Sequence, residues 1–222
     1  DQFDSYVWPY RVQGKHFLDE FGIQASADFG ANIRGTLGGN MDDSFTKYAG
    51  KTYPGKWFGY QLGVYNGPGY SNSESNTNKP FGGLVYFRPA PGVDVLKGLV
   101  LSYYGMFGQS NSHFTAKGKT NDYPDAQINL AQLAWQHPWF TLYGQYYWGK
   151  GTLTSTDDHS RSGWLVEGFV RIPSVEKLRA FGRYYNYDPN TDASNNATTT
   201  YVLGVSYDWS KELMPFLAYQ HN

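Results

Sequence analysis

Along most of this chain, apolar side chains recur at every second position in short segments that polar connections separate. Such alternation indicates β-strands with one apolar and one polar face, because successive side chains of a strand point to opposite faces. We predict ten strands, which cover residues 28–37, 58–66, 82–88, 98–108, 126–136, 140–149, 164–171, 178–185, 200–209 and 214–220. The fold class is therefore predicted to be all-β and antiparallel.

The connections between these strands alternate in length. After the strand at 58–66, long polar connections (67–79, 109–124, 150–162 and 186–198) alternate with short turns that contain Pro89–Gly92, His137-Pro138, Pro173-Ser174 and Ser210–Glu212. Strands of about 9–11 residues with long loops at one end and tight turns at the other are typical of a transmembrane β-barrel. We therefore predict an antiparallel transmembrane β-barrel of which about ten strands are visible.

Composition agrees with this fold and excludes others. Aromatic residues make up 18% of the 222 residues, with 20 Tyr, and amphipathic aromatic rings favour the membrane interface. A run of about 18 apolar residues, which a membrane-spanning helix needs, does not occur in the sequence. The formal net charge of -1 gives no sign of a nucleic-acid surface, and the lack of cysteine excludes a thiolate metal site or a disulfide framework.

Alternation also assigns side chains to the two faces of each strand. On the first strand Phe29, Ala31, Ile33 and Leu37 share one face, and Asp28, Asn32, Arg34 and Thr36 share the other, which must be the wet one. The same test puts five arginines on the wet face, namely Arg34, Arg88, Arg171, Arg179 and Arg183, whereas Arg161 falls in the long connection 150–162. In the strand at 126–136, Ile128 and Leu130 are out of phase with Leu133 and Trp135, which predicts a β-bulge.

Several phrases resemble one known family, the phosphate-selective porins. FGYQLGVYNGPGYSN (58–72), GGLVYFRPAP (82–91) and LKGLVLSYYGMFGQS (96–110) follow the order of its core phrases, and FTLYGQYYWG, GWLVEGFVRIP, LRAFGRYYNYD and TTYVLGVSYDWS are similar to its later strands. Residues 16–35 resemble the strand pair that precedes the NG phrase. The resemblance implies an outer-membrane porin of a Gram-negative bacterium, a homotrimer among lipid and lipopolysaccharide, which passes small hydrophilic solutes and above all anions such as phosphate.

The chain departs from the family in two respects. The family barrel has sixteen strands, so we expect a single barrel domain over residues 1–222 that is truncated at one or both ends. The family also has a tight turn where this chain has residues 38–56, which contain Lys47, Lys51 and Lys56. We interpret this stretch either as an enlarged turn or as a segment folded into the pore.

The five arginines of the wet face are the candidate pore-lining and anion-binding residues. A guanidinium group suits an oxyanion because its donors form a planar fork. Arg179 and Arg183 lie four residues apart on one strand, so they are about 13–14 Å apart on the same wall and form two steps of a ladder. The alternative is that these arginines pair with Glu167, Asp28 and Asp208 on neighbouring strands and only stiffen the wall.

Two other classes of function remain open: a barrel that serves as a structural or sheath partner of another envelope component, and a soluble β-sandwich that binds carbohydrate through its many Tyr and Trp. Enzymatic activity is not expected, because GxSxG, P-loop and GxGxxG phrases do not occur in the sequence. The five histidines are scattered without metal-ligand spacing, so we predict neither a metal nor a cofactor.

Overall fold

The computed structural model describes residues 9–10, 15–25, 27–49, 55–113, 123–210 and 213–222. Two short helices occur there, α1 (Phe17–Glu20) and α2 (Asp43–Ala49). The remaining elements are ten strands: β1 (Gly30–Leu37), β2 (Phe58–Tyr65), β3 (Phe81–Phe87), β4 (Leu99–Gln109), β5 (Asp125–His137), β6 (Phe140–Lys150), β7 (Ser160–Ile172), β8 (Val175–Asp188), β9 (Thr198–Tyr207) and β10 (Phe216–His221).

These strands form one ten-stranded antiparallel sheet in which every strand pairs with its neighbours in sequence. Both the all-β antiparallel class and the ten predicted strands are confirmed. Within the described residues, β1 pairs only with β2 and β10 only with β9, so these two strands are the edges of the sheet. The hairpin of β7 and β8 is longer than predicted, because residues 162–164 continue the pairing with residues 186–188.

The two faces of the sheet differ in exposure. On one face, which we call the outer face, large apolar side chains are exposed, among them Ile33 at 66% and Leu203 at 61%. On the opposite, inner face the alternating side chains are buried, as Tyr143, Leu165 and Val202 show at 0% exposure. The predicted alternation is therefore confirmed, with large apolar side chains on the exposed face.

The predicted β-bulge in the strand at 126–136 is wrong. The register of β5 with β4 and with β6 continues without a shift through the whole strand. Ile128 and Leu130 simply lie on the inner face, at 0% and 1% exposure, in one apolar cluster with Phe17 and Ile23 of the N-terminal region. Apolar residues occur at these inner positions because another part of the chain covers them.

The N-terminal region contains one strand where the resemblance implied two. Among the described residues of 16–35, which omit residue 26, only β1 is a strand, whereas residues 17–20 form α1. His16 caps this helix, since its Nδ1 accepts a hydrogen bond of 3.3 Å from the amide of Leu18. We call residues 15–25 the inner segment, because Phe17, Leu18 and Ile23 pack into the cluster on the inner face.

The connection of 38–56 contains helix α2. The carboxylate of Asp42 accepts hydrogen bonds from the hydroxyl of Ser44 at 2.5 Å and from the amide of Phe45 at 2.7 Å, which satisfies the start of the helix. Met41 and Phe45 are buried together, and α2 contacts β5. This stretch thus contains its own helix, which folds back over the inner face, where the ring of Phe45 lies 4.8 Å from the guanidinium of Arg88. Residues 50–54, with Lys51, lie outside the described residues, as do 114–122 of one long loop and Lys211-Glu212 of the last turn.

Neither described helix has the length and hydrophobicity that crossing a membrane would require.

Candidate functional site on the inner face of the sheet

The inner segment fills the part of the inner face where the long connections begin. The ring of Phe21 stacks on Tyr187 at a centroid distance of 4.0 Å and meets Tyr185 edge-on at 5.4 Å. Phe17 packs against Tyr147 and Tyr187 at 5.9 and 5.8 Å. Aromatic pairs in these geometries add about 0.5–1.5 kcal/mol each beyond the area that they bury. The inner segment therefore contacts β6 and β8 of the sheet mainly through aromatic side chains.

Hydrogen bonds supplement these ring contacts. The hydroxyl of Tyr104 donates to Oε1 of Gln24 at 2.9 Å, and the amide of Leu153 donates to the carbonyl of Ile23 at 3.4 Å. Nη2 of Arg183 donates to the carbonyl of Lys15 at 2.7 Å. The inner segment thus contacts β4, β8 and the connection between β6 and β7.

Tyr10 occupies the other end of the inner face, near the tight turns. Its ring stacks on Phe181 at 3.9 Å and meets Phe169 and Phe216 edge-on at 6.4 and 6.2 Å. Its hydroxyl forms a hydrogen bond of 2.7 Å with the hydroxyl of Ser206. Burial raises the pKa of Tyr10 above its usual value of 10.0, so this hydroxyl stays protonated at neutral pH.

Arg183 and Glu167 form a buried ion pair in the middle of the inner face. The two residues are direct partners in the register of β7 and β8, and both side chains are 0% exposed. Nη1 of Arg183 lies 3.5 Å from Oε2 of Glu167. The guanidinium group of Arg183 therefore links the carboxylate of Glu167 in the sheet to the carbonyl of Lys15 in the inner segment.

Arg179 forms a second pair nearer the tight turns. Its guanidinium contacts the carboxylate of Asp208 through Nε at 2.9 Å and also through Nη2. Arg171 is the register partner of Arg179, and both guanidinium groups lie over the ring of Phe169, at 5.3 and 4.9 Å. Nη1 of Arg171 donates to the carbonyl of Pro138 at 2.5 Å. Arg171 therefore also braces a turn.

The other two candidate arginines lie apart from this group. Arg88 is 1% exposed, donates from Nη1 to the carbonyl of Lys97 at 2.6 Å and lies 4.8 Å above the ring of Phe45 in α2. Arg34 is exposed on edge strand β1, where its register partner is Gln61. The structure therefore brings Arg171 and Arg179 together over Phe169. Arg183 lies further along β8 in its own pair with Glu167, and Arg88 and Arg34 lie on other strands.

The loop position predicted for Arg161 is wrong. Arg161 belongs to β7 and is 7% exposed, with Nη1 donating to the hydroxyl of Tyr187 at 2.9 Å and Nη2 paired with Asp157. It shares the inward phase of Leu165 and Glu167. The polar residues around Arg161 favoured a loop in the sequence. Its spacing of four and six residues from Leu165 and Glu167 was the signal that would have placed it on the same face of the strand.

The inner segment was not recognised in the sequence as part of this face. Phe17, Leu18 and Phe21 have the i, i+1, i+4 spacing of an apolar helix face, which was the available signal. Tyr10 carries no such pattern. Chemically, the inner face offers one fully buried arginine–carboxylate pair and further pairs that are partly exposed. The described residues hold no group of three or more His, Cys, Asp or Glu side chains suited to a metal ion.

A groove of about 380 Å³ lies on the outer face, above the register pair of Gly168 and Gly182. Two glycines opposite each other lack the side chains that would fill this space. Apolar and aromatic side chains surround the groove, namely Leu142, Val166, Tyr184, Tyr201 and Leu203. Glu167 and Arg183, which flank the two glycines in sequence, also belong to its lining.

Comparison with protein-family models and with curated proteins gives no match to this chain. The resemblance to phosphate-selective porins stays a prediction that rests on the phrases quoted above.

Proposed function

We propose that this chain is an outer-membrane β-barrel porin that lets small hydrophilic solutes diffuse passively. One observation carries the proposal: the apolar face of the sheet is exposed, while the face with the charges is buried. Soluble proteins rarely expose contiguous apolar patches of more than a few hundred Å². In lipid, by contrast, the same face is in its preferred surroundings.

The arrangement of charge argues against the soluble β-sandwich. A sandwich would bury its apolar face against a second sheet and leave the polar face in water. Here all ten strands of the described residues belong to one sheet, and Leu203 and Leu217 are 61% and 76% exposed. Buried pairs such as Arg183–Glu167 lie on the opposite face. A membrane wall whose opposite face carries the charged pairs and is covered by other parts of the chain explains both faces.

Within this proposal the solutes are small anions such as phosphate, and the inner arginines supply positive charge along the passage. The support for anions is the set of guanidinium groups on the inner face, most of all the exposed Arg34. The pairs Arg183–Glu167 and Arg179–Asp208 favour the strut interpretation for these two arginines, because each guanidinium has a carboxylate partner. Lipid, lipopolysaccharide and two further copies of the chain are the proposed partners, on the basis of the family resemblance.

A structural or sheath barrel is the second candidate function. It is favoured by the inner segment, which covers inner-face residues that a pore would expose, such as Tyr147 and Tyr187. Such a barrel would insert into the membrane without conducting ions.

Reconstitution separates these alternatives. The purified chain is refolded in lipid vesicles, tested for heat-modifiable migration on a denaturing gel and then fused with a planar bilayer. A porin gives heat-modifiable migration and stepwise conductance. Heat-modifiable migration without conductance would favour the structural barrel. A chain that remains soluble and folded without lipid would contradict a membrane protein of any kind.

A further inference from the structure

We propose that the inner segment, residues 15–25, is a stopper that detaches from the inner face while the sheet remains intact, and that its departure opens the passage. This inference rests on the proposed pore, because a stopper has meaning only where solutes pass. Two properties of the segment support this proposal: the part of the inner face that it covers, and the kinds of contact that attach it.

The segment and Tyr10 cover about half of the inner face along β8, from its middle to the end with the long connections. Tyr10 stacks on Phe181 near the middle of β8, and Phe21 stacks on Tyr187 near the long connections. These two wall rings are six residues apart on β8, which corresponds to about 20 Å at 3.3–3.4 Å per residue. Between them, the carbonyl of Lys15 lies against Arg183. A solute that follows β8 along the inner face meets the chain at all three levels.

The attachment differs in kind from that of the strands. The described strands are held by continuous ladders of backbone hydrogen bonds. In the inner segment, the bond between backbone groups runs from the amide of Leu153 to the carbonyl of Ile23 at 3.4 Å, which is long. The other bonds to the sheet and its connections come from the side chains of Tyr104, Arg183 and Thr154, the last to the carbonyl of Gly22 at 3.5 Å. Detachment therefore breaks no rung of the sheet.

Elements with few backbone hydrogen bonds to their surroundings open at a lower free energy than the ladder of a sheet. The segment also buries Phe17 and Ile23 against Ile128 and Leu130 of β5, so its detachment costs the burial of these apolar side chains. That cost is confined to one cluster and leaves the pairing of the strands untouched. We therefore expect opening of the segment to be a sub-global event and distinct from unfolding.

Thiol labelling tests the detachment. The chain has no cysteine, so a single introduced thiol reports on one site. Leu18→Cys places it in the inner segment, and Val202→Cys places it on β9 in the separate cluster that contains Tyr10 and no residue of the segment; both side chains are buried, at 4% and 0% exposure. In vesicles, with a water-soluble maleimide, we expect the thiol at 18 to react at least tenfold faster than the thiol at 202, with circular dichroism showing a complete sheet. Equal rates with the same dependence on denaturant would overturn the inference.

Conductance tests the opening of the passage. Phe17→Ala/Phe21→Ala removes the rings that hold the segment, and Tyr70→Ala/Trp139→Ala removes two exposed rings as the matched control. We expect the first pair to raise the mean conductance severalfold and the control to leave it unchanged. Equal conductance in the two variants, with fast labelling at 18, would overturn the role as a stopper. If wild type and both variants insert but none conducts, the proposed pore itself fails, and the labelling result still decides whether the segment detaches.

Discussion

Arg183 and Glu167 stand opposite each other in the register of β7 and β8, with both side chains fully buried and Nη1 3.5 Å from Oε2. Because desolvation of two charges is costly, such a pair adds little net stability, whereas loss of one partner leaves a buried charge alone. The pair consequently makes the inner face sensitive to substitution at either position.

Glu167→Gln should lower the free energy of unfolding by about 3–5 kcal/mol, because the guanidinium of Arg183 loses its carboxylate in a buried site. The measurement is urea unfolding in lipid vesicles. Asp208→Asn is the matched control, since the Arg179–Asp208 pair is partly exposed and should contribute no more than about 1 kcal/mol. Similar losses in the two variants would contradict the contrast in burial.

On the proposed membrane position of the outer face, Leu62→Arg should cost about 2–4 kcal/mol in lipid, because Leu62 lies on that face near the middle of β2 and the substitution would bring a charge into hydrocarbon. Gln61→Arg, one residue away on the inner face, should have little effect. Folding titrations in vesicles measure both. The reverse ranking would mean that the inner face, and not the outer one, meets lipid.

In the proposed pore, the preference for anions over cations should depend on Asp208, the carboxylate that pairs with Arg179. Asp208→Asn removes the negative charge beside that guanidinium, so the reversal potential in a salt gradient should shift toward preference for anions. Arg34→Gln should shift the reversal potential in the opposite direction, since Arg34 is exposed on β1. Unchanged reversal potentials in both variants would remove these arginines from the passage.

The start of α2 should respond to acid. The hydrogen bond from Ser44 and that from the amide of Phe45 lower the pKa of Asp42 below its usual value of 3.8. Because the pKa in the folded state is the lower one, the cap is fully effective above the unfolded pKa and is lost as the pH falls through the folded pKa.

The NMR shift of the Phe45 amide measures this titration, and its midpoint should lie below the ordinary aspartate range of about 3.9. Asp42→Asn should abolish the titration at this amide. A midpoint at or above the ordinary value would contradict the capping contact.

The sequence by itself determined the strands and their faces. A period of two in residues such as Trp164, Val166 and Val170 predicts both the strand and its outward side, because successive side chains of any strand must point to opposite faces. It also indicated that Arg179 and Arg183 share one wall, which the structure confirms. These features are local, so short-range patterns suffice to predict them.

Only the tertiary structure decided what covers the inner face. Ile128 and Leu130 appeared out of phase because their apolar partners, Phe17 and Ile23, are more than 100 residues distant in sequence. Likewise, whether Arg183 meets a solute or the carbonyl of Lys15 depends on a contact across 168 residues. Local periodicity assigns a side chain to a face, but the neighbour that it meets there depends on how distant segments pack, which a short-range pattern does not encode.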